Sequence, residues 1–247
     1  MDTDATQTAG MDGNGMVTQA DTVRGLAVSA GGFALALGLH RATPGRRFQL
    51  RFRSLDERDR TVRDFDVKHT KRLHLVVVRR DMLDFQHLHP TQAADGSWAT
   101  PLTLHLAGSY RVFADFSTGG RPFVLADDLL ADGTVTWQAL PAPTGAAEAD
   151  GFQIRLNEGT SRAGEESELE FAVTRNGRPV QLQDYLGAKG HLVALRRGDL
   201  AYLHVHPDAD RLKFMATFPT AGAYRLFLQF KVDGAVHTAA FTQEVSP

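Results

Sequence analysis

The sequence predicts an all-β protein made of two tandem β-sandwich domains. Three observations support this prediction: apolar residues alternate with polar ones, turn signals recur about every ten residues, and the chain repeats itself. In one alternating segment Phe48, Leu50 and Phe52 are separated by Gln49 and Arg51, so the apolar side chains share one face. Each repeat of about 100 residues fits an immunoglobulin-like or cupredoxin-like sandwich.

The two halves of the chain match each other in three segments. HLVVVRRDMLDFQHLHP over residues 74–90 matches HLVALRRGDLAYLHVHP over 191–207 without a gap. Downstream of these, AGSYRVFADF matches AGAYRLFLQF, and upstream GGFALAL matches DGFQIRL. The last match indicates that the apolar run over residues 26–39 is a strand and not the apolar part of a signal peptide.

These matches divide the chain into four segments. Residues 1–20 contain almost no large apolar side chains and are predicted to be a disordered tail. We expect the first sandwich over 21–138 and the second over 150–247. Residues 139–149, rich in Pro, Ala and Gly, have the composition of a linker.

Composition excludes several classes of function. The 247 residues are 43% hydrophobic and 23% charged, which is typical of a folded globular chain and not of a membrane bundle. Lys and Arg number 27 against 29 Asp and Glu, so no strong net charge favours nucleic acid, and neither a nucleic-acid partner nor a membrane span is expected. The absence of cysteine excludes disulfides, thiolate zinc sites and blue-copper centres.

No motif of a known enzyme class is recognised. The sequence has no G-x-S-x-G, no G-x-x-x-x-G-K, no H-E-x-x-H and no G-x-G-x-x-G between a strand and a helix. We therefore expect a protein that binds without catalysis.

The repeated motif H-x12-H-x-H-P is the strongest functional signal. Residues two apart on a strand share a face about 6.5 to 7 Å apart, so His87 and His89 can bind one ion. A hairpin turn centred on Arg80 and Asp81 predicts that His74 lies opposite His87, with all three imidazoles crowning the apolar interior of the sandwich. The proline after each motif is expected to end the ladder pairing there.

The second copy predicts an equivalent site, and one further histidine is a candidate ligand in the first. His191, His204 and His206 repeat the spacing of the first motif. His69 precedes the first motif by five residues, and Tyr185 or Leu186 stands at the corresponding place in the second copy. The predicted metal ligands are therefore His69, His74, His87, His89, His191, His204 and His206.

An all-imidazole site suits copper, zinc or nickel, and the affinity order of divalent metals places copper first with zinc as the second choice. Two alternatives remain open at this stage. The histidines could form a hydrogen-bonded structural cluster in a non-catalytic immunoglobulin-like interaction module, or they could sense pH.

The segment FDVKHTKRLHLVVVRRDMLDFQHLHP, with the later AGSYRVFADF and its repeat, resembles a family of exported bacterial proteins found in actinobacteria and bacilli. Members look like heavy-metal-associated proteins with duplicated immunoglobulin-like domains. The resemblance implies an extracytoplasmic or secreted copper-binding protein, acting as buffer, chaperone or resistance component, with a copper-handling membrane protein as a partner. A signal peptide and a lipid-anchor cysteine, which the resemblance would predict, are not recognised in the sequence.

Overall fold

The computed structural model describes residues 23–158, 160–207 and 210–247, without the side chains of Glu158, His204, His206 and Pro207. In these residues all regular secondary structure is β-strand, which confirms the predicted all-β class. The predicted tail over 1–20 lies outside the described residues. The described part of the chain holds no helix with the length and hydropathy that crossing a membrane requires.

The first unit contains ten strands, and over residues 48–56 buried apolar positions alternate with more exposed polar ones as the sequence predicts. They are β1 (Ser29–Ala30), β2 (Phe33–Leu37), β3 (Arg41–Ala42), β4 (Phe48–Asp56), β5 (Leu73–Arg79), β6 (Gln86–Leu88), β7 (Thr91–Gln92), β8 (Trp98–Leu102), β9 (Gly108–Thr118) and β10 (Arg121–Ala131). Two five-stranded sheets result, ordered β1-β2-β4-β8-β7 and β3-β10-β9-β5-β6. Side chains such as Leu50, Phe52, Leu75 and Val77 form the core of this unit.

The second unit contains nine strands. They are β11 (Ala146–Ala149), β12 (Phe152–Glu158), β13 (Glu166–Arg175), β14 (Arg178–Pro179), β15 (Gly190–Arg196), β16 (Tyr202–Pro207), β17 (Lys213–Thr217), β18 (Gly222–Val232) and β19 (Ala235–Val245). Their order is β11-β12-β13-β17-β16-β15-β18-β19, with β14 on β13. Phe152, Phe214 and Phe230 lie in its separate core.

The proline of the repeated motif lies outside the paired strand in the first unit and inside it in the second. In the first, β6 ends at Leu88, so the pairing stops before Pro90 as predicted. In the second, β16 continues to Pro207, which pairs with Phe214 of β17, so the expected end of pairing was wrong there. The proline is the last residue of that strand.

A tyrosine near the start of the corresponding long strand marks each unit as immunoglobulin-like. The Tyr110 hydroxyl lies 2.8 Å from the carbonyl oxygen of Leu106, and the Tyr224 hydroxyl donates to the carbonyl of Thr220 at 3.0 Å. Both bonds reach back four residues along the chain, as in the tyrosine corner of immunoglobulin-like sandwiches. The duplicated fold is therefore visible in a matched hydrogen bond as well as in the strands.

The two units pack against each other through a third apolar cluster, which we call the seam. It joins side chains of β5, β9, β10 and the turn after β5 to side chains of β15, β16, β18 and the turn after β15. Its members are Val76, Val78, Met82, Phe113, Val124, Ala126, Val193, Leu195, Leu200, Tyr202 and Phe227. The rings of Phe85 and Phe227 stack at 4.0 Å between centroids, and those of Phe113 and Tyr202 approach to 5.1 Å. The repeat relates Phe85 to Tyr202 and Phe113 to Phe227, so the seam has an approximate internal two-fold symmetry.

The segment between the units contributes to both. The last four residues of the predicted linker form β11, which pairs with β12 of the second sandwich. Leu140 packs against the seam. The predicted linker is thus ordered in part by the second sheet and in part by the contact between the units.

Candidate metal centre

The hairpin of β5 and β6 brings the three histidines of the first motif together. Val76 pairs with His87, and Leu75 with Leu88. The predicted register, with His74 opposite His87, was therefore wrong by two residues. Because a shift of two keeps every side chain on its face, the predicted grouping of the imidazoles is retained.

The longer connection between the strands accounts for the shift. Met82 and Asp84 adopt left-handed backbone conformations with φ of 65° and 48°. Inside the turn the buried Arg79 guanidinium donates to Asp81 at 2.8 and 2.5 Å, and it also donates to the carbonyl of Ala107. A turn built around a buried ion pair needs more residues than the two-residue hairpin that the sequence predicted.

The histidines do not face the interior of the sandwich, so the prediction that they crown this interior was wrong. Leu75 and Val77 point into the core of the first unit, whereas Val76 and Val78 belong to the seam. His74 shares the face of Val76 and Val78, so the imidazoles lie between the two units. Strand β5 is consequently buried along its whole length, which explains why LVVV lacks alternation.

The three imidazoles are close enough to share one ion. The ring centroids of His74, His87 and His89 lie 4.8 to 5.2 Å apart. One nitrogen from each ring can be chosen so that all three lie within 4.8 Å of one another. Nitrogen ligands at about 2.0 Å from a tetrahedral ion are separated by about 3.3 Å, so small side-chain rotations would suffice.

The contacts around His74 and His87 need one more proton than the two neutral rings carry, and a cation between the rings would take the place of that proton. Nδ1 of His74 lies 3.0 Å from Nε2 of His87, while the outer nitrogens lie 3.4 Å from the Lys68 carbonyl oxygen and 2.7 Å from Oε1 of Gln229. These three contacts require three protons, and two neutral imidazoles carry only two. With both outer contacts made, two lone pairs face each other, which is the arrangement of two ligands around a metal ion.

His89 supplies a third candidate ligand nitrogen. Its Nε2 is buried and has no hydrogen-bond partner within the described residues. A buried polar atom of this kind requires an explanation, and an ion bound beside His74 and His87 provides one.

Electrostatics hold these histidines in the form that binds metal. Burial, followed by the neighbouring His74 and His89, lowers the pKa of His87 well below its usual value. Burial, followed by the charges of His74 and Lys71, lowers the pKa of His89 to about 4. Both imidazoles are therefore neutral near pH 7, as metal ligation requires.

The structure brings two more of the predicted residues to this cluster. His191 of the second unit is buried, and its ring centroid lies 5.8 Å from that of His74 and 6.0 Å from that of His87. His69 lies 5.4 Å from His191 by the same measure and 6.3 Å from His74. The ring of Tyr185, from the position predicted to replace His69, lies 5.4 Å from His191.

The side chains of His204 and His206 lie outside the described residues. Their backbone is part of β16, where Val193 pairs with His204 and Leu192 with Val205. The predicted pairing of His191 with His204 was therefore wrong by two residues, as in the first unit. Their role as ligands stays a prediction.

Gln229 is a residue of the candidate centre that the sequence did not predict. It lies opposite His191 in the pairing of β15 with β18, and it accepts a hydrogen bond from His87 of the other unit. A polar amide between Leu228 and Phe230, in the apolar middle part of the strand, was the available signal. Without the docking of the two units, nothing related that amide to His87.

Comparison with known proteins yields a family and distant structural likenesses. A family model described as a domain of unknown function matches residues 28–131 and again 147–247. No curated protein matches the chain.

Among solved structures, the Escherichia coli adhesin FdeC is 15% identical over 90% of this chain and 66% of its own, with a TM-score of 0.31. Salmonella alpha-2-macroglobulin is 14% identical over 91% of this chain and 15% of its own, with a TM-score of 0.32. The Yersinia pseudotuberculosis adhesin InvE is 12% identical over 87% and 59%, with a TM-score of 0.25. The chain spans less than two thirds of each of these proteins, and likeness at this level carries no argument about function.

Proposed function

The chain belongs to the family DUF8832, a domain of unknown function that occurs in it twice, and we propose that it binds a transition-metal ion without catalysing a reaction. His74, His87 and His89 are the proposed ligands. The proposal depends chiefly on the inner nitrogens of His74 and His87, which lie 3.0 Å apart while each ring has an oxygen near its other nitrogen. Such outer contacts fix the tautomer and orientation of metal-binding histidines.

Copper is the proposed ion, with zinc as the second choice. Among the described residues the cluster offers imidazole nitrogens as ligand atoms, and the affinity of an all-imidazole site for divalent metals is highest for Cu(II). A titration with Cu(II) and Zn(II) in competition should leave copper in the site. Displacement of copper by equimolar zinc would reverse the assignment.

A direct test is titration of the metal-free full chain with Cu(II), followed by EPR spectroscopy. Nitrogen hyperfine structure from imidazole is expected in the spectrum, and His87→Ala should remove it or weaken binding strongly. His40→Ala is the matched control, because His40 is exposed and lies outside the cluster. Equal binding by His87→Ala and the wild type would refute the proposal.

The second motif leads us to propose a second ion, held by His191, His204 and His206. The placement of His191 beside His74, with 5.8 Å between the ring centroids, supports it, since both motifs then contribute to the same region. Wild-type protein should bind close to two equivalents of copper and His204→Ala close to one. A stoichiometry that stays unchanged in a variant carrying both His87→Ala and His204→Ala would exclude both sites.

A structural role for the histidines is the second candidate, because His87 and Gln229 already join the two units by a hydrogen bond. In that case the protein is an interaction module whose histidines fasten the seam. Addition of divalent metal would then leave the melting temperature unchanged, whereas saturation at 100 times Kd should stabilise a metal-binding protein by about 2.7 kcal/mol.

For the cellular role we propose an extracytoplasmic copper buffer, chaperone or resistance component that exchanges its ion with a copper-handling membrane protein. The support is the resemblance of the duplicated histidine motif to exported proteins. Fractionation of cells that produce the full-length protein tests the location, and recovery in the cytosol alone would contradict it.

A further inference from the structure

A cleft of about 500 Å³ opens between the two units beside the histidine cluster. His69 and His74 line it from the first unit, and Tyr202, Val205 and Met215 line it from the second. This volume is within the usual range for small-molecule sites and is far larger than a single metal ion needs.

Positive charge dominates the lining. Four cationic side chains border the cleft, while Asp115 is the one carboxylate among its described lining residues; the cations are Arg24, Lys68, Lys71 and Arg72. Burial, followed by the charge of the neighbouring Asp115, raises the pKa of the Tyr202 hydroxyl, so this carboxylate faces a neutral phenol. Since the whole chain has a net charge of −2, this concentration of cations is a local feature.

None of the four cations lies within ion-pair distance of a carboxylate in the described residues, although other arginines and lysines of the protein are paired in this way. Arg24 and Lys71 are also half-buried, so they are partly removed from water without a counter-charge. Cations gathered around a concave site with low-dielectric walls attract anions strongly.

We propose that this cleft binds a small polyanion, with two or more carboxylate or phosphate groups, next to the histidine cluster. Arginine offers paired donors that match carboxylate and phosphate oxygens, and lysine adds a point charge. Neutral imidazoles bring no negative charge to a bound cation, so a polyanion here would also balance the charge of a metal ion in the cluster. The polyanion goes beyond the proposed metal binding, because the cations that would hold it are present without the ion.

The test is calorimetric titration of metal-free full-length protein with citrate and, separately, with inorganic pyrophosphate at low ionic strength. Binding of citrate alone identifies carboxylates as the ligand groups, and binding of pyrophosphate alone identifies phosphates. We expect a variant carrying Lys71→Gln and Arg72→Gln to bind at least tenfold more weakly. Arg72→Gln alone, at an exposed position, should bind more weakly than the wild type but less weakly than the double variant. It replaces the double variant in the test if that variant is poorly folded.

A variant carrying Arg46→Gln and Arg47→Gln is the matched control, since it loses the same charge at exposed positions away from the cleft. Equal weakening in this control would mean that net charge and not the cleft attracts the anion, and the proposal would fail. Absence of binding by both probes would also overturn it. Because the titration uses no metal, neither result depends on whether the histidines bind an ion.

Discussion

At the scale of single residues, the hydrogen bonds that His74 and His87 can make are limited by the number of protons on their two rings. Their two neutral rings take part in three contacts that each need a proton, so the metal-free protein must leave one contact unsatisfied or protonate a ring. Protonation is disfavoured because burial lowers the pKa of His87. A cation between the rings replaces the missing proton and lets both outer hydrogen bonds form.

Gln229→Leu should weaken metal binding by about 10- to 100-fold, as the loss of other outer-shell partners of metal-binding histidines does. The variant removes the acceptor that fixes the tautomer of His87 while it keeps a side chain of similar size. Competition with a chromophoric chelator measures the affinity. Gln243→Leu, at another buried glutamine of the same unit, is the control and should bind normally.

The stability of metal-free protein should fall as the pH is lowered from about 6.5 towards 4. In the unfolded chain His89 takes up a proton near the ordinary histidine pKa of 6.5, whereas in the folded chain its pKa is about 4. The unfolded state therefore binds more protons between these values, and it gains stability relative to the folded state as the pH falls. Melting temperatures at several pH values measure this, and His89→Asn should reduce the dependence while His87, whose pKa is also lowered, keeps part of it.

At the scale of elements, the hairpin of β5 and β6 shows how far sequence reasoning reaches. The strand pattern, the duplication and the grouping of His74, His87 and His89 were all predictable, because alternation along a strand is a local property. The register was not, because it depends on the turn, where Arg79 and Asp81 form an ion pair with both side chains only 3% exposed. An even error in register left the site intact, whereas an odd one would have separated the histidines.

Asp81→Asn should destabilise the first unit by about 3 to 5 kcal/mol, since it leaves the buried Arg79 guanidinium without its counter-charge. Urea unfolding followed by intrinsic fluorescence measures the change. Asp233→Asn breaks the exposed pair with Arg175 and should cost less than about 1 kcal/mol. Similar losses in the two variants would show that the turn does not depend on its buried ion pair.

At the scale of the whole molecule, the seam places His191 and Gln229 of the second unit beside the histidines of the first. This contact was beyond the sequence reasoning, which treated each sandwich alone. The unbroken apolar runs LVVV and LVAL are typical of strands buried on both faces, but such a run does not identify what covers the second face. The composite character of the centre follows from the packing of the units.

Phe227→Ala should separate the unfolding of the two units. The side chain is 4% exposed and stacks on Phe85 across the seam, so its removal leaves a cavity at the contact and not in either sandwich core. Differential scanning calorimetry should show one transition for the wild type and two for the variant. The same variant should bind copper more weakly, because Gln229 is then held less firmly beside His87. A single transition in the variant, with unchanged affinity, would mean that the seam does not couple the units.

The approximate two-fold symmetry of the seam has a consequence for assembly. Phe85 meets Phe227, and Tyr202 meets Phe113, so each unit offers the same face to the other. Such an interface is isologous, the type through which identical subunits form closed dimers. A protein with a single copy of this unit could build the same centre as a homodimer. In the fused chain the two halves are free to diverge. They have diverged at one position of the repeat, which holds Asp115 in the first unit and Gln229 in the second.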